Sequence, residues 1–246
     1  MEVALITVGD ELLAGDTVNS NATWLADRLT DRGATVERIL ALPDVRETIT
    51  AHVRAYSDSF DAVIVTGGIG GTPDDVTMEA VADAFDREMV VRETALEDIE
   101  KTLALYLEKR PQLELDIDVE AEASLPAESR PLLNEQGLAP GCVIENVYVM
   151  PGIPEELKAM FEGVAAEFHG DSISQFLYTV EPEGNIVTEL DEVQSTFDVS
   201  IGCYPDRDAG HNRLKITATE ETELDAASAW LQERIDASET PVSRDW

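Results

Sequence analysis

The run Thr66-Gly67-Gly68-Ile69-Gly70-Gly71-Thr72-Pro73-Asp74-Asp75-Val76-Thr77 carries the strongest chemical signal in this chain. Glycines let the backbone adopt positive φ and let a ligand approach the main chain. A helix starting directly after them would offer unpaired N–H groups and a partial positive charge to an anion. Thr72 can cap such a helix, with Pro73 at its first position. Asp74 and Asp75 then fall in the first turn, either as partners of the helix dipole or as polar and metal contacts beside bound phosphates. The run lacks the Lys-Ser/Thr ending of a nucleoside-triphosphate loop and the full dinucleotide glycine spacing. On local grammar, a plain strand-to-helix turn and a phosphate cradle both stay open.

More carboxylates gather at neighbouring strand ends. Asp10 and Glu11 follow the first apolar run, and Asp44 follows the second. Carboxylates beside a phosphate repel it unless a cation bridges them, and a hard, oxygen-liking divalent ion such as Mg²⁺ fits that need. The candidate metal set is therefore Asp10, Glu11, Asp44 and Asp75. His52, His169 and His211 are too scattered for zinc. Cys142 and Cys203 make neither a disulfide framework nor a metal knuckle, and read as small buried side chains.

These groups must be held by strands and helices in alternation. Val3–Val8 reads as a buried strand, followed by a Gly9–Gly15 loop. Asn19 and Asn21 are candidate caps of a helix to Arg32, with Gly33 as its stop. Ala34–Leu42 reads as a strand, Asp44 with Glu47 as a capping box, and Ala62–Thr66 as the third strand. A charged helix follows over about 93–110, then an acidic stretch, 112–129, that reads as a strand or a surface excursion. Cys142–Ile144 and Val147–Met150 read as a hairpin, and a helix runs from Pro154 to Phe168. The alternation predicts an α/β fold with a mostly parallel sheet, its ligand site outside the strands' carboxyl ends. Beyond about residue 170 the order strand, helix, strand, strand, helix predicts a smaller α+β domain, giving domains 1–170 and 171–246.

Composition narrows the partners. Lys and Arg number 17 against 51 Asp and Glu, a net charge of −34, which excludes binding nucleic acid or anionic lipid through a basic surface. A hydrophobic content of 43% with clear periodicity argues against disorder. Only Lys101, Lys109, Lys158 and Lys215 are lysines, and an acid-rich, Lys-poor chain suits concentrated salt, where the Debye length falls to about 3 Å at ~1 M. The strand at the N-terminus leaves no secretory signal, and no apolar stretch reaches membrane length, so a cytoplasmic protein is expected.

Three motifs resemble the CinA-type (competence/damage-inducible protein A) N-terminal domain of the molybdopterin-binding superfamily. They are Gly9-Asp10-Glu11-Leu12-Leu13-Ala14-Gly15 with Asn19 and Asn21; Thr66–Gly70 with Asp74-Asp75-Val76-Thr77; and Ala139-Pro140-Gly141 with Met150-Pro151-Gly152-Ile153-Pro154-Glu155-Glu156-Leu157-Lys158-Ala159-Met160-Phe161. They stand in the family's order over about residues 1–165. Leu42-Pro43-Asp44 and Asp75 also match acidic positions of the superfamily. Ser200–Pro205 resembles the small domain that follows in CinA-like proteins and in eukaryotic FAD synthases. Two departures stand out. The family usually has Gly-Pro-Thr where Gly70-Gly71-Thr72 stands, and its Pro-Asn is Leu133-Asn134 here.

The resemblance implies a three-layer αβα fold and a site for a pterin or dinucleotide with its phosphates. It implies ligand contacts at Gly67, Gly68, Gly70, Gly71, Thr72, Asp74, Thr77, Asn19, Asn21, Pro151 and Gly152. Asp75 is the expected essential acid, with Asp44 next. The expected activity is metal-dependent hydrolysis of a dinucleotide pyrophosphate such as ADP-ribose or FAD. The alternatives are a molybdopterin-binding or adenylylating protein of molybdenum-cofactor synthesis, with molybdopterin as ligand, and a non-catalytic nucleotide-binding protein. The sequence ends without the family's nicotinamide-nucleotide amidase domain, so amidase activity is not expected. Relatives are dimers or trimers, so a homo-oligomer is expected.

Overall fold

A computed structural model describes residues 1–110, 112, 115 and 117–242. The chain divides into two compact units, one of residues 1–29 and 34–169, the other of 30–33 and 170–246.

The larger unit is built on a six-stranded sheet. In chain order its elements are β1 (Glu2–Val8), α1 (Asp10–Ala14), α2 (Ser20–Thr30), β2 (Thr35–Leu42), α3 (Arg46–Ser57), β3 (Ala62–Thr66), α4 (Thr77–Ala84), β4 (Met89–Val91), α5 (Glu93–Lys109), α6 (Val119–Glu122), β5 (Ser124–Pro126), β6 (Arg130–Leu132), β7 (Gly141–Ile144), β8 (Val147–Met150) and α7 (Pro154–Val164). The sheet runs in the order β2-β1-β3-β8-β7-β6. Strands β2, β1, β3 and β8 are parallel, and β7 turns back as the predicted hairpin with β8. Strands β4 and β5 pair separately.

Side chains alternate across each strand, so one run of apolar residues feeds two cores. Val63 and Val65 face one core with Ile49 and Val53 of α3, Val81 of α4 and Ile99 of α5. Ala62 and Ile64 face the other with Leu25 and Leu29 of α2 and Leu157 and Phe161 of α7. The result is the expected three-layer αβα arrangement. Strand β1 leads to β2 on one side while β3 lies on the other, which places a topological switch between the carboxyl ends of β1 and β3.

The smaller unit holds β9 (Ile173–Thr179), α8 (Glu183–Thr196), β10 (Ser200–Asp206), β11 (His211–Ala218), α9 (Glu221–Gln232) and β12 (Ala237–Ser238). Its sheet is antiparallel, in the order β10-β11-β9-β12. Leu177, Ile186, Val193, Leu214, Ile216 and Leu231 form its core.

Four local expectations are corrected. The Gly9–Gly15 segment is not all loop: it holds the single-turn α1, closed by Gly15 in the left-handed region. Helix α3 opens at Arg46 after Val45, and Asp44 makes no cap hydrogen bond there. Helix α4 opens at Thr77, not at Thr72 or Pro73. Cys142 is buried as expected, but Cys203 is only half-buried. Among the described residues no helix is long and apolar enough to cross a membrane.

Candidate functional site

The loop after β3 is held by the strands around it. The Gly67 N–H donates to the Met150 carbonyl at 3.2 Å, and the Thr77 N–H closes back on the Gly68 carbonyl at 2.9 Å. Between these ties, the Asp75 carboxylate accepts from the Thr72 N–H at 3.0 Å and from the Thr72 hydroxyl at 2.5 Å. Such side-chain-to-backbone bonds compete with helical ones, which is why the helix starts later than its cap-like residues suggest. The N–H groups of Gly70, Gly71, Thr72, Asp74 and Asp75 thus belong to a loop rather than to a helix N-terminus, and those of Thr72 and Asp75 are engaged within it. Helix α4 is anchored from the other side. Arg46 of α3 grips Asp83 through two contacts of 2.6 and 2.9 Å, and Arg54 donates to the Asp83 and Ala84 carbonyls.

The loop floors a cleft of about 850 Å³. Gly68, Gly70, Gly71, Thr72 and Asp75 line one side, and Asp118, Glu122 and Leu125 line the other. Apolar area comes from Met78, Met89 and Leu138. Under Gly68 lies the Thr77 hydroxyl. Thr77 is wholly buried, and among the described residues its Oγ1 has no hydrogen-bond partner. A Cβ at Gly68 would come within 2.5 Å of that oxygen and 3.3 Å of Asp44 Oδ1. Glycine here keeps open a space lined by a hydroxyl and a carboxylate.

Of the expected acids, Asp10, Glu11 and Asp44 come together. The Asp10 N–H donates to Asp44 Oδ2 at 2.8 Å. Partial burial pushes the Asp44 pKa up; the Asp10 N–H opposes this, and the charges of Asp10, Glu11 and Asp74 add to it. Asp75 instead lies with Asp118 and Glu122 in the cleft lining. Burial raises the Glu122 pKa, and the Asp75 and Asp118 charges raise it further. The fourfold acid set is therefore divided between the two sides of the loop. Among the described residues no three His, Cys, Asp or Glu side chains form a ready metal-binding group.

The remaining expected contacts also divide. Asn19, Asn21, Gly67 and Gly152 line a separate hollow of about 100 Å³ with Glu11. Asn19 caps α2 through the Ala22 N–H at 3.2 Å and donates to Thr7 Oγ1 at 2.9 Å. Asn21 donates to the Gly152 carbonyl at 2.7 Å, tying the Pro151-Gly152 turn to α2. Asn134 survives the loss of its preceding proline: it accepts from the Gln136 and Gly137 N–H groups and donates to the Ala139 carbonyl, shaping the approach to Pro140 in the cleft wall. The sequence reading missed Asp118 and Glu122. Both lie in the acidic stretch: Glu122 ends a helix of four residues, and Asp118 caps it by accepting from the Ala121 N–H at 3.1 Å, which was the available signal.

The Asp44 environment predicts a trade of stability for function. Its carboxyl pKa is raised on folding, so the ionised form disfavours the fold, and that penalty appears as pH rises through the raised pKa. Asp44→Asn keeps an oxygen acceptor for the Asp10 N–H and removes the charge. It should raise Tm by roughly 2 °C at neutral pH and low salt. The gain should vanish in acid, below the ordinary carboxylate range. Thermal unfolding of both chains against pH checks this, and a lower Tm for the variant at neutral pH would refute it.

Residues 4–169 match the family described as probable molybdopterin binding domain, and residues 171–242 match the FAD synthase middle domain. A protein of Archaeoglobus fulgidus is 35% identical over 237 residues, covering 96% of this chain and 98% of that one. A CinA-like protein of Citrifermentans bemidjiense is 40% identical over 166 residues, which are 66% of this chain and 39% of that protein. The solved structure of CinA from Thermoplasma acidophilum is similar with a TM-score of 0.59 at 32% identity, covering 68% of this chain and 97% of that one. With glycine loop, acidic strand ends and both matches in place, the chain belongs to the molybdopterin-binding-domain family, in a CinA-like form followed by a FAD-synthase-type middle domain.

Proposed function

We propose that this chain binds a phosphorylated nucleotide or pterin in the cleft over Gly68–Thr72 and hydrolyses a dinucleotide pyrophosphate of the ADP-ribose or FAD type, with a divalent metal such as Mg²⁺. The observation that carries this reading is the buried Thr77 hydroxyl beneath Gly68, without a hydrogen-bond partner among the described residues, beside the Asp44 carboxylate. A buried hydroxyl without a partner costs about 1–3 kcal/mol, and a ligand oxygen or its bound water would recover that.

Oxygen ligands of the kind a hard cation takes stand on both sides of the loop, Asp10, Glu11 and Asp44 on one and Asp75 on the other, and a cation would have to be held by one of these groups together with the ligand's phosphates. When bound, the cation neutralises phosphate charge and lowers the pKa of a water. The chain's own residues do the rest. Loop N–H groups hold the phosphates, and Met78, Met89 and Leu138 take a ring face. Asp75 and Asp44 orient the reacting groups and accept the proton that water loses as the P–O–P bridge opens to two monophosphates.

The test is release of AMP from ADP-ribose or FAD with Mg²⁺, Mn²⁺ or Co²⁺ in molar KCl. Turnover above that of an Asp75→Asn chain is expected, and none would sink the hydrolase reading. The match of residues 4–169 to a molybdopterin binding domain favours a second reading, a pterin-binding or adenylylating protein. Calorimetry showing molybdopterin binding with no dinucleotide hydrolysis would support it.

A further inference from the structure

The sheet of the smaller unit is covered by helices on one face. Leu177, Leu214 and Ile216 point to that side, packed with Ile186 and Val193 of α8 and Leu231 of α9. Side chains alternate along a strand, so Phe176, Tyr178, Tyr204, Arg213 and Lys215 stand on the other face. The register sets them in two rows. Tyr204 is opposite Arg213, which is opposite Tyr178; Gly202 is opposite Lys215, which is opposite Phe176. The Tyr204 ring folds back along its strand over Gly202, where a Cβ would lie 2.6 Å from its hydroxyl and 2.9 Å from Cε2. Tyr178 packs edge-on against His211, while Tyr204 and Phe176 keep open rings, 49% and 37% exposed.

Charge sets this face apart. Acids outnumber bases by 51 to 17 in the chain, yet among the described residues no carboxylate pairs with Arg213 or Lys215. The Lys215 ammonium lies 6.0 Å from the Phe176 ring centre. Asp206, two positions beyond Tyr204, accepts from the Ala209 N–H at 3.0 Å. Unmet positive charge fits an anion, and open rings fit planar groups. A second copy set face to face would bring the same unpaired cations together. The three strands also offer about 300 Å², less than half of the ~800 Å² that each partner of a standard interface buries. A flat face encloses too little of a free nucleotide, whose sites are concave. Four-stranded sheets backed by helices do hold single strands, by stacking two or three bases on the aromatic side chains of the bare face.

We propose that the bare face of the β10-β11-β9-β12 sheet binds single-stranded nucleic acid, with bases stacked on Tyr204 and Phe176 and phosphates beside Arg213 and Lys215. The −34 charge argues against a surface that tracks phosphates with clustered bases, and two cations are too few to make one. Stacking therefore carries the affinity, and a duplex, whose bases are already stacked and paired, is rejected.

The test is the fluorescence anisotropy of a labelled single-stranded octauridylate titrated with the full chain at several KCl concentrations. Saturable binding in the micromolar range is expected, and log K should fall against log [KCl] with a slope of about −1.4, the value for two phosphate contacts on a single strand. Tyr204→Ala should weaken binding at least about fivefold, and Tyr204→Phe, which keeps the ring, by less than about twofold. Phe176→Ala should act as Tyr204→Ala does, and keeps the test decisive if that variant folds poorly. Arg213→Gln with Lys215→Gln should flatten the salt slope toward zero. No saturation by about 1 mM chain would overturn the proposal, as would unchanged affinity in the folded alanine variants. Equal competition by a duplex of the same length would also overturn it, and equal competition by polyglutamate would make the face a site for acidic protein instead. The face belongs to the smaller unit, so each of these failures leaves the glycine-loop cleft untouched.

Discussion

An Asp75→Asn chain should lose about a hundredfold or more of its pyrophosphate turnover while keeping its fold. The reason lies in how the carboxylate is used. Asp75 Oδ2 accepts both the Thr72 N–H and the Thr72 hydroxyl. An asparagine oxygen can take the same two donors, so the turn from Thr72 to Asp75 stands and Tm should move by no more than about 2 °C. What disappears is the negative charge in the cleft lining, and with it the cation ligand and proton acceptor that the proposed mechanism assigns to Asp75. The kinetic split is informative. A fall in kcat with KM unchanged places Asp75 in the chemical step, whereas a rise in KM alone would confine it to holding the phosphate. AMP release measured against ADP-ribose concentration with Mg²⁺, with thermal unfolding alongside, decides it. Turnover within threefold of the native chain would remove Asp75 from the mechanism.

Much of the framework was legible because it depends on short-range periodicity. The unbroken apolar runs of β1 and β3 read as strands, and both supply the two cores at once. The hairpin at Glu145-Asn146 and the start of α7 at Pro154 followed from turn and cap chemistry. The errors arose where a local pattern has a distant competitor. Asp44 with Glu47 reads as a capping box, but the Asp44 carboxylate is taken by the N–H of Asp10, thirty-four residues away. Thr72-Pro73 reads as a helix start, but the Asp75 side chain and the Thr77-to-Gly68 bond fold that segment into a closed loop. Neither competitor has a signature in its own neighbourhood.

The site was legible as an inventory of residues more than as an arrangement. Strand-end acids were expected around the glycine loop, yet their grouping was not visible. Asp44 joins Asp10 and Glu11, whereas Asp75 lies with Glu122 in the cleft lining. A four-residue helix is too short to show a period, which hid Asp118 and Glu122. The −34 charge gains meaning from this. It argues against a basic docking surface, and the cleft lining carries four carboxylates and no Lys, Arg or His among the described residues.

Gly67→Ala is the substitution expected to damage the molecule most. Gly67 has φ +93°, where a Cβ is strained, and its Cβ would collide with the Val8 carbonyl oxygen. That oxygen belongs to the central strand and cannot give way as a side chain would. The opposite side is closed too, since the Gly152 Cβ position lies 3.3 Å from the Gly67 Cα. The strain of the left-handed conformation and the forced shift of β1 together should cost at least about 3 kcal/mol, a fall in Tm of about 10 °C. Ligand binding should be lost with it, because the same peptide sets the height of Gly68 over the Thr77 hydroxyl. Gly15→Ala is the internal control. Gly15 has a similar φ of +78°, but a Cβ there meets nothing within 4 Å, so only the conformational cost of about 1 kcal/mol applies. Thermal unfolding of the two variants separates backbone strain from close approach. If Gly67→Ala loses no more stability than Gly15→Ala, the meeting of β1, β3 and the Pro151-Gly152 turn does not hold the loop in place, and the loop's geometry must be set from the α4 side, through Thr77 and the arginines of α3.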